Sequence, residues 1–291
     1  ACTRGAGLEK AYNINNFDMD SVYNDGSLRA DPFAAALCVP DFDGDMDAEG
    51  VDAEGFLLFN TDTGEVISAH NIYERLYPAS TTKIMTCLLA LKYGDLTDTV
   101  IVPEESEITE AGSSMADLAP GDNINLGDLL YGLMVPSGND AAVAVACHIS
   151  GSTEAFVELM NEEAHALGAT GTHFTNPHGL PDDDHYTTAY DLYLMMNEAL
   201  KYDEFRKIAS TASYTAEVTD SEGNEKSLTW ETGNGFMAGK FSLPQGLNVE
   251  AAKTGHTNAA GFCLVMGEAS DTGDNYISVT MKAGSYDALY N

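Results

Sequence analysis

Pro78-Ala79-Ser80-Thr81-Thr82-Lys83-Ile84-Met85-Thr86 is the stretch from which the rest of the chain is read. An almost wholly apolar run follows Ser80: Ile84, Met85, Cys87, Leu88, Leu89, Ala90 and Leu91. The run is too short to span a membrane and predicts a helix buried on most sides. Pro78 suits a helix start, with Ala79 expected to be extended. Ser80 and Lys83 are three apart and share one helix face. An ammonium held at a helix N-terminus inside an apolar core is costly, and loss of its proton relieves that cost. Lys83 then becomes a base beside the Ser80 hydroxyl, the Ser-Lys form of an activated nucleophile. Taken alone, the pair also reads as an N-cap serine followed by a solvated lysine. The remainder of the chain decides between the two.

Composition bounds the answer. The 291 residues allow one large domain or two small ones, with an ample core. Lys+Arg 13 against Asp+Glu 46 gives a formal net charge of −33. Such a surface repels nucleic acid and anionic membranes, so nucleic acid is not an expected partner. The five cysteines, Cys2, Cys38, Cys87, Cys147 and Cys263, have no close pairs and form neither a disulfide framework nor a zinc pattern. Cys87, Cys147 and Cys263 lie in apolar runs and are expected as small core residues. The seven histidines lack H-E-x-x-H spacing, and no metal or cofactor is expected. No signal peptide or transmembrane stretch is read. Ala1-Cys2-Thr3 fits the end of a lipoprotein cleavage site, which makes Cys2 a candidate lipid anchor; a plain chain boundary is the alternative.

Two domain-level segments are expected. Residues 1–50 form an N-terminal extension ending in the acidic loop Asp41 to Gly50. Asp45, Asp47, Glu49 and Gly50 fit the start of a calcium loop, but Phe56 stands where its twelfth-place glutamate belongs, so a solvated loop is expected. Residues 51–291 form the main domain. Gly55 to Asn60 and Glu65 to His70 read as a hairpin through Thr61-Asp62-Thr63-Gly64. The Ser80 helix ends near Gly94 in a left-handed cap. About 104–200 reads as helical. After Tyr202 come strands at 214–218, 227–230, 261–266 and 276–281. Early strands, a helical middle and late strands predict one sheet built from both ends of the chain, an α/β (α+β) fold with an inserted all-helical subdomain.

Two further segments carry chemistry. In Val135-Pro136-Ser137-Gly138-Asn139-Asp140, Ser137 offers a hydroxyl able to pass a proton. Asn139 offers an amide able to hold both Lys83 and a substrate carbonyl. Alone, Ser-Gly-Asn reads as a turn. In Ala251-Ala252-Lys253-Thr254-Gly255-His256-Thr257, Lys253 adds positive charge where an anion binds and pushes Lys83 toward its neutral form. Thr254 can bond a carboxylate, and Gly255 removes a side chain where a substrate backbone must approach. Alone, this segment reads as a strand with one exposed lysine. S-x-x-K, then S-x-N, then K-T-G, in that order, is the signature of serine penicillin-recognising enzymes.

The chain resembles the low-molecular-weight penicillin-binding D-alanyl-D-alanine carboxypeptidases over about residues 53–284. Besides the three motifs, the resemblance rests on Asn176-Pro-His-Gly-Leu180, on His185-Tyr-Thr-Thr-Ala189 with Asp191, and on Ala260-Gly261. It implies a β-lactamase/transpeptidase-like fold, an antiparallel sheet flanked by helices. It implies that Ser80 attacks the carbonyl between the two terminal D-alanines of a peptidoglycan stem peptide while Lys83 takes its proton. Ser137 and Asn139 would relay the proton and position the substrate, and Lys253 and Thr254 would hold the terminal carboxylate. The backbone N–H groups of Ser80 and His256 would form the oxyanion hole. β-Lactams would trap the ester, and the protein would work outside the cytoplasm, in the bacterial cell envelope. His178 and Asp191 match structural positions.

The sequence also departs from the family. Lys282 is the one basic residue soon after the last strand, and Trp230 to Asn234 matches poorly the Asn-rich segment usual before the third motif. The closing helix reads as cut short at Tyr290-Asn291, so the sequence is expected to be truncated ahead of the β-rich stalk and membrane-binding tail often found in the family. Two other functions are compatible with the motifs. A class A β-lactamase needs a glutamate to hydrolyse the acyl ester, and Glu158 with Asn161 has the wrong spacing for it. A β-lactam sensor or wall-binding module would be acylated without turnover.

Overall fold

The structure is a computed structural model and describes residues 50–290. Cys2, Cys38 and the acidic loop as far as Glu49 lie outside the described residues. The expected hairpin is present as β1 (Gly55–Asn60) and β2 (Glu65–His70). Asn60 Oδ1 accepts from the N–H groups of Asp62 and Thr63, so the side chain closes the turn that the sequence signals.

The chain next runs through α1 (Lys83–Tyr93), β3 (Thr99–Ile101), β4 (Asn123–Asn125) and α2 (Leu126–Met134). Then come α3 (Asn139–Ser150), α4 (Thr153–Ala166), α5 (Ala189–Ala199) and α6 (Asp203–Ala209). Strands β5 (Ser213–Thr219), β6 (Glu225–Glu231), β7 (Leu247–Thr257), β8 (Gly261–Ser270) and β9 (Asn275–Ala283) complete the described chain. Caps fall where short polar side chains precede apolar runs: Asn125, Ser152 and Thr188 each accept from a first-turn N–H.

The main sheet is antiparallel, in the order β2-β1-β9-β8-β7, and is built from both ends of the described chain as expected. Strands β5 and β6 do not join it. They pair with β3 and β4 in a second sheet, in the order β3-β4-β5-β6. Alternation along β5 marks a half-buried strand, with Ala216 and Val218 inward, but alternation carries no information about which sheet a strand joins. The helical insert expected at 104–200 therefore shares its ground with four strands, β4 from within it and β3, β5 and β6 from either side of it. Its last helix, α5, packs on β9, β8 and β1 of the main sheet. Helix α6 was not expected. Its signal was short: acidic residues in the first turn, basic ones in the last, and Phe205 with Ile208 buried three apart.

Helix α1 is the hub. Ile84, Met85, Cys87, Leu88, Leu89 and Ala90 are all at 0% exposure, which explains why the run has no polar face. It packs against α2, α3, α5 and α6. Gly94 does not take the left-handed cap conformation; its φ is −94°. Space is what demands a glycine here, because a Cβ would come within 2.6 Å of Leu126 Cδ2 and 2.8 Å of the Ala90 carbonyl. Cys87 and Cys263 are buried and free as expected, whereas Cys147 is half-buried.

Trp230, in the segment that departs from the family, is 4% exposed, and its Nε1–H donates to the Ala116 carbonyl at 2.9 Å. It ties the second sheet to the loop in front of α3. Trp230→Phe removes that donor, leaves a buried carbonyl short of a partner and is expected to lower unfolding free energy by roughly 1–3 kcal/mol in urea titration.

Candidate active site

The nucleophile turn is tighter than the sequence reading. Ala79–Thr82 is a 3₁₀ turn and α1 begins at Lys83. Ala79 is not extended; its φ is +48°. Thr81 Oγ1 donates to the Pro78 carbonyl at 2.7 Å and holds the turn shut. Residues three apart eclipse in a 3₁₀ turn, so Ser80 and Lys83 line up more directly than on an α-helix.

Lys83 is at 0% exposure. Its Nζ lies 3.0 Å from Ser80 Oγ, 2.7 Å from Asn139 Oδ1 and 2.7 Å from the His178 carbonyl. Two of these partners only accept, and the third is a hydroxyl that can also donate. A neutral amine has two hydrogens and one lone pair. The hydrogens satisfy Asn139 and His178, and the lone pair is left facing the Ser80 hydroxyl. The electrostatics favour that state. Burial holds the Lys83 pKa well below its ordinary value, the Lys253 charge lowers it further, and the Asp140 carboxylate opposes.

Lys253, on β7, is 2% exposed, and its Nζ donates to Ser137 Oγ at 2.8 Å and to the Thr254 carbonyl at 2.9 Å. Burial brings its pKa down to about 7. Ser137 has φ +66°, a strained value for a non-glycine residue, so its hydroxyl is held out from the head of α3. The next residues lock that corner. Asp140 is fully buried and its carboxylate accepts from the N–H groups of Ala116, Leu118 and Ala141, while Asn139 N–H donates to the Ser114 carbonyl. Segment 114–118 is thereby fastened beside Asn139.

Gly255 serves a different purpose from the one expected. A Cβ there would lie 2.9 Å from the Ser80 amide nitrogen and 3.1 Å from the Pro78 carbonyl, so β7 packs directly on the nucleophile turn. The approach brought close is that of the protein's own backbone. His256 is exposed and stacks on Phe262 with ring centroids 4.2 Å apart. Thr254 is half-buried.

The third wall is the loop 175–181. Gly179 has φ +91°, and a Cβ would fall 1.9 Å from the Ala79 carbonyl. Thr86 Oγ1 donates to the Pro177 carbonyl at 2.6 Å. His185 is 1% exposed; its Nδ1 accepts from Thr175 N–H, which leaves Nε2–H to donate to Thr82 Oγ1 at 2.9 Å. Burial lowers the pKa of His178 to about 3 and of His185 to about 4, so both are neutral around pH 7. The His178 carbonyl touches Lys83 directly, a contact that a reading of side chains could not find. Asp191 is buried at the head of α5 and accepts from Thr172 Oγ1.

These walls enclose a cleft of about 400 Å³ lined by Ser80, Asn139, His178, His256 and the segment Glu110 to Ser114. Lys83 lies behind it, bonded to Ser80 and Asn139. Lys253 reaches Ser137 from β7. Lys282 pairs with Glu54, and Glu158 is exposed on α4; neither lines the cleft. Among the described residues no cluster of His, Cys, Asp or Glu is arranged to hold a metal ion, and no helix is long and apolar enough to cross a membrane. Sequence reasoning missed Asp140, the Glu110 to Ser114 segment, and the hydrogen-bonding role of His185. An acidic residue just inside a helix start was a faint signal for Asp140.

Solved structures share this architecture. The Streptomyces K15 DD-transpeptidase superposes with a TM-score of 0.75 at 32% identity, covering 82% of this chain and 92% of that one. Penicillin-binding protein 5 of Haemophilus influenzae gives 0.73 at 33% identity, covering 84% of this chain and 69% of that one. The sequence profile of the D-alanyl-D-alanine carboxypeptidase family matches residues 44–285, and the chain belongs to that family. The D-alanyl-D-alanine carboxypeptidase DacF of Bacillus subtilis is 39% identical over 217 residues, 73% of this chain and 53% of that protein. DacC of Escherichia coli is 36% identical over 231 residues, 76% and 54% respectively. The chain thus spans little more than half the length of these relatives.

Gly179→Ala forces a strained φ and a clash with the nucleophile turn, so acylation by a fluorescent penicillin should slow by at least tenfold, on the order of 1–3 kcal/mol of displaced geometry. Lys253 gives a signed prediction for stability. Its folded pKa is depressed, so the unfolded chain binds more protons between pH 7 and 10.5, and stability is lost as pH falls through that range. Lys253→Met should stabilise the fold at pH 7 by up to about 4 kcal/mol. The gain over wild type should shrink toward pH 10.5 in parallel urea titrations, while acylation falls.

Proposed function

We propose that this chain is a serine-type D-Ala-D-Ala carboxypeptidase, acting on peptidoglycan stem peptides in the cell envelope and inhibited by β-lactams. The observation that carries the reading is the Lys83 amine, enclosed by two carbonyl oxygens and the Ser80 hydroxyl. Ser80 Oγ attacks the carbonyl joining the last two D-alanines as Lys83 takes its proton. The peptide carbonyl oxygen gains the negative charge, and the backbone N–H groups of Ser80 and His256 face it. Preorganised donors of this kind are worth several kcal/mol together.

Collapse of the tetrahedral intermediate breaks the C–N bond. The leaving D-alanine nitrogen receives a proton from Lys83, through Ser137. Lys253 and Thr254 hold the terminal carboxylate, with Lys253 protonated when that anion is bound. Asn139 keeps Lys83 oriented and meets the substrate amide. Water then attacks the ester carbonyl as Lys83 takes its proton; the C–Oγ bond breaks, Lys83 returns that proton to Ser80 Oγ, and the shortened peptide leaves with a new carboxylate.

The family membership supports the reaction class, and the burial of both lysines supports the assignment of base and carboxylate partner. The test is release of D-alanine from diacetyl-L-Lys-D-Ala-D-Ala, measured beside labelling by fluorescent penicillin. Wild type should do both. Ser80→Ala should do neither, and Lys83→Ala should lose at least two orders of magnitude in each. Labelling without D-alanine release in wild type would overturn the enzyme in favour of a sensor, and rapid turnover of nitrocefin would overturn it in favour of a β-lactamase.

A further inference from the structure

Abstraction of the Ser80 proton makes a cation where water cannot solvate it. The Oγ–H bond breaks, the Lys83 lone pair takes the proton, and an ammonium forms at a residue with no exposed surface. Its hydrogen bonds are provided for, since Asn139 Oδ1, the His178 carbonyl and Ser80 Oγ can accept from its three N–H groups. Its charge is a separate matter. Lys253 repels it, and burial keeps His178 and His185 neutral.

The residue after Asn139 on α3 is a carboxylate. Asp140 is at 0% exposure and forms no ion pair among the described residues, whereas the buried Asp122 and Glu163 are bonded to Lys226 and Lys92. Backbone holds it instead. Oδ1 accepts from the N–H groups of Ala116 and Ala141, both at 2.8 Å, and Oδ2 from those of Leu118 at 3.0 Å and Ala116 at 3.1 Å. Donors face both oxygens, so the place suits a carboxylate and neither a carboxylic acid nor an amide. Burial pushes its pKa up, and those N–H bonds pull it back. Gly138 leaves room for the charge, because a Cβ there would lie 2.7 Å from Oδ1.

We propose that Asp140 is a positioning residue for the nucleophilic step, whose buried charge stabilises the ammonium that forms on Lys83 while its hydrogen bonds hold Asn139 against that ammonium. This rests on the Ser80-Lys83 reading of the site and extends it to an anion that touches neither substrate nor serine. The aspartate of a Ser-His-Asp triad serves its imidazole in the same way. Burial and Lys253 press Lys83 toward neutrality, and Asp140 limits how far its basicity falls.

The experiment measures the rate of acylation by a fluorescent penicillin between about pH 4 and 10. Beside it, the Lys83 Nζ resonance is titrated by NMR in isotope-labelled protein, assigned by its absence from Lys83→Ala. The charges facing Lys83 are Lys253 and Asp140, with His178 and His185 near it, and Asp117 faces Asp140. Lys253 sets the falling limb, above its pKa of about 7. Removing an anion lowers an amine's pKa, so Asp140→Asn should move the rising limb and the Lys83 titration down by about one pH unit. The maximal rate should fall at least tenfold.

Trp230→Phe loosens the same segment through Ala116 and keeps every charge, so its limb and titration should stay with wild type. An Asp140→Asn protein whose limb and titration coincide with wild type overturns the proposal, whatever its rate. An equal displacement in Trp230→Phe does so too. If Asp140→Asn does not fold, Asp140→Ala, which leaves room for water to meet the freed N–H groups, carries the same test. A chain that folds with neither replacement makes Asp140 a purely structural group and overturns the proposal as well. None of these readouts uses D-alanine release. A wild type acylated without releasing D-alanine therefore sinks the carboxypeptidase reading and leaves the Asp140 comparison standing.

Discussion

An amine with no exposed surface is the constraint on which the structure depends. Lys83 is buried at the head of a helix that is itself buried on every side from Lys83 to Ala90. A charge there would be several kcal/mol more costly than in water, so the amine is pressed toward neutrality. Neutrality alone is not enough. The lone pair must point at the serine, and that requires the two N–H bonds to be committed elsewhere. Asn139 from α3 and the His178 carbonyl from the loop 175–181 supply those acceptors. Three separate parts of the chain thus meet on one nitrogen.

The surroundings can be read as devices for keeping those parts together. Gly179 and Gly255 let two segments press on the nucleophile turn where any side chain would collide. Asp140 fastens the segment 116–118 to the head of α3 through the N–H groups of Ala116 and Leu118, and His185 links the nucleophile turn to the loop opposite. Ala79 and Ser137 sit at positive φ on either side of the cleft. Such strain persists only where packing over-determines it. The second sheet belongs to the same scheme, since Trp230 of β6 holds Ala116, the residue next bonded to Asp140.

The cost of this arrangement falls on stability. Two buried lysines and two buried neutral histidines all have depressed pKa values, so each is less easily protonated in the folded state than in the unfolded one. The histidine contributions are lost as pH falls from the unfolded value near 6.5 toward 3–4, and the lysine penalty grows as pH falls from 10.5. The site is therefore selected for a reactive amine at the expense of a more stable core.

Much of this was legible from residue order. The Ser80-Lys83 spacing, the Ser137-x-Asn139 and Lys253-Thr254-Gly255 segments, and the apolar run after Ser80 point to the family and to the proposed nucleophile, because short-range spacing on a helix or turn is a local property. The hairpin at 55–70 was equally local. What required the tertiary structure were relations between distant segments: that β5 and β6 leave the main sheet, that Gly255 faces the protein's own turn, that Glu110 reaches the cleft, and that a main-chain carbonyl at His178 completes the lysine's hydrogen bonds. A backbone oxygen has no letter in the sequence, and alternation along a strand says which face is buried but not what lies against it.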